Sequence, residues 1–305
     1  MDVLAWLCDA DADPAVRWQA LRDLAAPTEA TLAAERARVA REGLGARILA
    51  AQGADGAWHD GDTPLWLPTL RTLLLWRLTG VDPADPAVCE AIARLVAGFR
   101  WDATFGAKPF FEGEVEPCIN GNALALGVYF GQPSAALVER LLGEQLADGG
   151  WNCEAPRSVR SSFHTTICVL EGLLAYERAS ATPAEAAAIG DARRRGEAYL
   201  LDRHLLRRLS TGEIAAPAFA QLGFPTAYTY NVLRGLDYLR AAGVRPDERI
   251  AEAVRLLHER RQPDGRWLLD AALSEGIVVP LDEKVGEPSR WITLRALRVL
   301  RWAAG

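Results

Sequence analysis

Gln145-Leu-Ala-Asp-Gly-Gly-Trp151 is one of three related stretches in the 305-residue chain; Gln52-Gly-Ala-Asp-Gly-Ala-Trp58 comes before it and Gln262-Pro-Asp-Gly-Arg-Trp267 after it. Each closes a polar helical stretch and leads toward an apolar one. Asp-Gly is a turn signal, because Gly tolerates the left-handed backbone that ends a helix. Gln52, Gln145 and Gln262 can hydrogen-bond orphan backbone groups at a neighbouring helix end. Trp58, Trp151 and Trp267 can lie over the turn and bury a large apolar surface. Such a joint bolts one helical hairpin to the next, and its recurrence marks a repeat architecture.

The joints resemble the QW repeats of the terpene cyclase and protein prenyltransferase superfamily, the squalene-cyclase-like proteins whose members fold as α/α toroids. The aromatic residue that the family often places upstream of the Gln is absent, with Arg47, Arg140 and Leu257 near that place. The resemblance implies an all-α fold, an α6/α6 toroid, formed as a single barrel by residues 1–305. Fold alone does not give chemistry.

Composition narrows the classes. Half of the residues are hydrophobic and the formal net charge is -6 with both signs interspersed, so no basic stripe for nucleic acid stands out. Arg193, Arg194 and Arg195 read as a solvated helix face. Five Cys without regular spacing suit a reducing compartment, and no signal peptide or apolar run of about 18 residues is visible; the expected setting is the cytoplasm.

The rest of the chain reads as helix after helix, with no alternation that suggests a sheet. Six segments open with a cap or a Pro and run apolar, from near Pro14, Thr63, Cys118, Ser162, Pro225 and Ser289. Polar helices cover Glu29 to Ala51, Asp85 to Phe99, Ser134 to Leu146, Pro183 to Arg208 and Asp247 to Arg261, and Asp2 to Cys8 supplies a sixth. An apolar inner ring inside an amphipathic outer ring is the expectation. Arg295, Arg298 and Arg301 imply that the last inner helix is partly exposed. In such a barrel the inner helices run parallel, so their N-termini and the irregular stretches Trp101 to Pro117, Leu209 to Phe224 and Leu268 to Pro288 meet at one mouth.

Four constellations at that mouth carry chemistry. Cys118, Cys153 and His164 suit zinc, since three protein ligands leave one position open; related toroid enzymes hold zinc with Asp, Cys and His or with two Cys and a His. Glu116 or Glu154 would be a fourth ligand or a base. Two buried thiols and a helix-capping His is the alternative. His59-Asp60-Gly61-Asp62-Thr63 is similar to the Asp-x-Asp-Asp-Thr stretch of class II terpene cyclases, whose middle Asp protonates an alkene, but the third Asp is missing; capping of a helix by Asp62, with Pro64 in its first turn, alone explains these residues. Glu112, Glu114 and Glu116 form an acidic loop, and Asp9, Asp11 and Asp13 read as caps of the first helix. Trp18, Trp66, Asn120, Tyr228, Tyr230 and Trp291 would line a substrate cavity, with Arg290 to bind an anionic head group or to pair with Glu287.

The resemblance therefore points to an enzyme of the cyclase, lyase or transferase kind acting on an apolar, isoprenoid-type substrate, with zinc or Asp62 as electrophile. A non-catalytic lipid- or peptide-binding protein of the same fold is a second reading. A glycosidase-like α6/α6 enzyme, with Asp62 and Glu116 as its carboxylates, is a third. The sequence has no Asp-Asp-x-x-Asp, P-loop or Gly-x-Ser-x-Gly motif.

Overall fold

The computed structural model describes residues 2–61, 63–179, 181–273 and 275–305. It is all-α: the helices are α1 (Val3–Leu7), α2 (Pro14–Leu24), α3 (Glu29–Arg38), α4 (Gly43–Ala50), α5 (Trp66–Thr79), α6 (Pro86–Gly98), α7 (Pro117–Tyr129), α8 (Ala135–Gly143), α9 (Phe163–Ala179), α10 (Pro183–Leu201), α11 (Val232–Ala242), α12 (Ala251–Glu259) and α13 (Arg290–Ala303). Among the described residues there are isolated bridges but no strand. No described helix is long and apolar enough to cross a membrane.

Local chemistry sets most of the boundaries. Asp13, Asp85 and Thr182 each cap a helix whose first residue is Pro, and Thr182 with Glu185 forms a full capping box. Asp13 also receives the Leu44 amide at 2.6 Å. That second bond restarts the helix at α4, so the stretch expected as one helix from Glu29 to Ala51 is two. Of the other acids expected to cap α2, Asp11 instead pairs with Arg290 at 2.7 Å, and Asp9 receives the Ala10 amide. Two apolar helices start later than their sequence suggests. α5 opens at Trp66 rather than Thr63, and α11 opens at Val232 after Asn231 caps the Arg234 amide, rather than at Pro225.

The two kinds of helix differ as their sequences require. Pro68–Trp76 of α5 and Ile119–Gly127 of α7 are buried without a break, whereas α3 buries no residue and α12 buries Ala253 and Leu257. A helix covered on all sides has no polar face; one that meets water needs one.

The three joints are built alike. Trp58, Trp151 and Trp267 are fully buried, and each indole N–H donates to a carbonyl ten residues upstream: Ile48 (2.8 Å), Leu141 (2.7 Å) and Leu257 (2.8 Å). Each Trp amide donates to a Thr hydroxyl in an apolar helix: Thr69, Thr166 and Thr293. Gly56, Gly149 and Gly265 take positive φ in the turns. A Cβ on Gly149 would stand 2.6 Å from the Arg195 carbonyl of α10, so this turn presses directly on α10. The Gln side chains complete the bolt in two copies. Gln52 donates to Ala91 of α6 and Gln145 to Ala192 of α10, both at 2.8 Å, while Gln262 turns back to Arg260. Gln145→Ala should therefore lower the free energy of unfolding by about 1 kcal/mol, the net worth of a cross-helix hydrogen bond. Gln262→Ala should cost less, and paired urea titrations check the order.

Contacts between the apolar helices run in a circuit. α5 packs on α7, α7 on α9, α9 on α11, α11 on α13, and α13 on α2. Trp18 and Gln19 of α2 return to the end of α5 by donating to the Thr79 and Leu78 carbonyls. Gly121 and Gly172 let α7 and α9 touch backbone to backbone; a Cβ on Gly172 would lie 2.4 Å from the Gly121 carbonyl. Between α11, α13 and α2 the contact is ionic. Arg295 and Arg298 bond Asp237, and Arg298 also reaches Asp23 at 3.3 Å. The expectation that Arg295, Arg298 and Arg301 mark a partly exposed helix holds at Arg301, which is exposed, but not at Arg295, which is 5% exposed and bonds a carboxylate on another helix. Arg193 likewise leaves the solvated face expected of it and bridges Glu177 and Glu197, at 2.6 and 2.7 Å.

Candidate metal centre

Cys118, Cys153 and Glu116 come together at the start of α7, with one sulfur or carboxylate oxygen from each lying within 4.8 Å of the others. Three anchors hold them. Asn120, fully buried, accepts the Glu114 amide at 2.7 Å and donates back to the Glu114 carbonyl at 3.1 Å, folding the acidic loop onto the first turn of α7. Arg140 of α8 donates to the Val115 carbonyl at 2.6 Å and to that of Glu114, fixing the loop from outside. Cys153 follows the Trp151 joint, where its amide and its sulfur both stand 3.3 Å from the Thr165 hydroxyl of α9. Glu116 is the residue before α7 but does not cap it, so its carboxylate is left facing the Cys118 sulfur at 3.6 Å.

The two thiols share a proton unevenly. A hydrogen bond from the Cys118 thiol lowers the pKa of Cys153, helped by Thr165 and opposed by burial. The same bond, reinforced by burial, pushes Cys118 up. The pair therefore has a thiolate within easier reach than an isolated cysteine, which is what a metal ligand requires. Cys168 lies deeper, is pushed up to about 11 by burial, and is contacted by Asn122 and Arg234, at 3.5 and 3.6 Å. It belongs to the core.

The donor set fits a small, sulfur-accepting cation. Ligands about 2.3 Å from a tetrahedral zinc stand about 3.8 Å apart, so these three need to move by only about 1 Å. Two sulfurs and one carboxylate leave one position open.

His164 does not join them. Its Nδ1 accepts the Tyr230 amide at 2.8 Å, and its ring meets Phe219 edge-on. His164 and Thr165 are neighbours on α9 but point about 100° apart around the helix, and Thr165 is the one that faces Cys153. Instead, His164 lines a cavity of about 220 Å³ with Ala218, Pro225, Ala271 and Leu273. Burial, with the Arg234 charge behind it, lowers the His164 pKa. Nδ1 must be unprotonated to accept the amide. Its contribution is therefore complete above the unfolded value of about 6.5 and is lost as pH falls toward the lower folded value. The stability gap between wild type and His164→Ala should be wider at pH 7.5 than at pH 5.5, as read by urea midpoints.

The expected substrate-binding residues scatter. Trp18 lies against the C-terminal end of α5 rather than at this mouth, under the guanidinium of Arg22. Asn120 is a loop staple, as above. Tyr230 is buried, with its hydroxyl on the Leu205 carbonyl and its ring between Phe163 and Phe219. Trp291 stacks on Phe224 at 4.7 Å, also in the core. The anion place at the start of α13 is filled by the chain itself, since Glu283 receives the Arg290 amide at 2.7 Å. Arg290 pairs with Asp11, not Glu287. Trp66 pairs with Trp101, and Tyr228 keeps an exposed ring under the Arg71 guanidinium. Asp62 lies outside the described residues. Its neighbour Asp60 receives the Thr63 amide and hydroxyl in a local turn.

Sequence reading passed over Thr165, which holds Cys153, and Arg71, whose buried guanidinium reaches Glu275 at 3.0 Å. A lone Arg inside the apolar run Leu67 to Trp76 was the available signal for the second.

No family model matches the chain, and no curated protein sequence matches it. Among solved structures, the crystal structure of a protein from Actinoplanes is 17% identical, with 96% of this chain and 90% of that chain covered and a TM-score of 0.43. A likeness that loose carries no argument about fold or function.

Proposed function

We propose that the chain is a single α6/α6 toroid that binds zinc through Cys118, Cys153 and Glu116 and acts as an enzyme on an apolar, isoprenoid-type substrate. The convergence of two sulfurs and a carboxylate from separate segments carries this reading. Support for the toroid comes from the closed circuit of apolar helices and the three equivalent Trp joints. The apolar substrate is supported by the cavity beside His164: Thr165 touches Cys153 while His164 lines that cavity, so metal ligands and cavity flank one helix turn. When bound, zinc would supply a Lewis-acid position through its open site. Glu116 acts here as a ligand rather than as a base, because its carboxylate already faces the Cys118 sulfur.

The test is zinc bound per chain after purification with a reductant. One zinc, lost in Cys118→Ser and in Cys153→Ser but kept in His164→Ala, is the expected result. Turnover of an apolar prenyl substrate that requires the same two thiols would carry the enzymatic half.

A further inference from the structure

All six apolar helices also line a second cavity, of about 360 Å³, which opens beside the C-terminal ends of α5, α7 and α11. Its wall is unusually cationic. Arg22, Arg234, Arg240 and Arg298 face it with carboxylate partners, which are Asp23, Glu171 and Asp237. Arg36 and Arg178 face it holding carbonyls, of Gly80 and Ala241, that leave their charges unneutralised. The Arg77 side chain faces it with no hydrogen bond or ion pair among the described residues. Arg295 faces it from the core. It is 5% exposed, it shares Asp237 with two other arginines, and its Nη1 has no partner.

Helix C-termini attract cations, and that explains arginines bonded to terminal carbonyls. It also accounts for the charge of Arg77 in the last turn of α5, but not for the orphaned Nη1 of Arg295. A buried guanidinium nitrogen without a partner costs stability, and it persists here among like charges. Burial, with Arg298 and Arg234 nearby, lowers the Arg295 pKa, the mark of a cation short of counter-charge. Guanidinium forks match oxyanion geometry, and a single carboxylate would meet little of this charge. The cavity volume falls in the range of small-molecule sites, roughly 300–1,000 Å³.

We propose that this cavity is a binding site for a phosphate-bearing anion with two or more negative charges, held by Arg77 and Arg295. It is separate from the thiol cluster and does not depend on the metal reading.

Calorimetry of the full chain with inorganic pyrophosphate tests it, beside a second arm with phosphatidic acid in phosphatidylcholine vesicles. The first arm reads a free phosphorylated molecule and the second a lipid headgroup. Arg77→Ala is the main variant, since removing a side chain without partners breaks no internal bond; Arg295→Met is the second, and Arg157→Ala, on the distant surface, is the control. Binding in either arm that weakens tenfold or more in Arg77→Ala, with the control unchanged and the fold intact by circular dichroism, is expected. Should Arg295→Met fail to fold, Arg77→Ala decides alone. No binding in either arm at low salt, or binding that Arg77→Ala leaves unchanged, overturns the proposal.

Discussion

Trp151→Ala should lower the free energy of unfolding by about 3–5 kcal/mol, the cost of truncating a fully buried Trp. The indole is 0% exposed and fills the space between α8, α9 and α10. A Cβ on Gly196 would already stand 2.9 Å from its ring, so α10 has been brought up to contact. The substitution also strands the Leu141 carbonyl, which receives the indole N–H at 2.7 Å. Trp151→Phe keeps much of the apolar volume but loses that bond and should cost less. A typical domain has about 5–15 kcal/mol in total, so the alanine variant loses a large share of it. Urea unfolding reads both. A loss under about 1 kcal/mol would mean that the joint is ornamental and that the repeats do not hold the helices together.

Asp237→Ala should cost a similar amount, about 3–5 kcal/mol, as expected when one partner of a buried ion pair is removed. Asp237 on α11 answers Arg295 and Arg298 of α13, and Arg298 continues to Asp23 near the end of α2. The cluster therefore ties the last apolar helix to the fifth and to the first. Burial alone would raise the Asp237 pKa, but Arg298, Arg295 and Arg240 outweigh it and hold the carboxyl well below the usual carboxylate range. A depressed acid contributes stability that is present above its unfolded pKa and lost as pH falls through the folded one. The tie should stay intact down to about pH 4. Asp237→Asn keeps an acceptor for one arginine and should fall between wild type and alanine. Equal stability of Asp237→Ala and wild type at pH 7 would mean that these ion pairs do not hold α13 to α11.

The sequence made the joints legible because Gln, Asp-Gly and Trp sit within seven residues of one another. Their Thr partners were not legible, since Thr69, Thr166 and Thr293 follow their Trp by 11, 15 and 26 residues. Loop length varies between copies, so no fixed period reveals the pairing. Arg295 and Arg298 misled for a related reason: a cation at helical spacing looks solvated until its carboxylate appears about 60 residues away. At the metal centre, placing Cys118 at a helix start and Cys153 after a joint was enough to bring them together. His164 failed on phase, because a shift of one residue turns a side chain by about 100° and exchanges His164 for Thr165. Tyr230 and Trp291 failed differently. Aromatic residues at a cavity mouth and aromatic residues in a core have the same sequence, and both of these found core partners.

The most direct test is the metal content of the reduced, purified chain after incubation with zinc and removal of the excess. One zinc per chain, absent from Cys118→Ser and Cys153→Ser and retained by His164→Ala, is the predicted result. A wild-type chain that takes up none, or cysteine variants that keep it, would contradict the account.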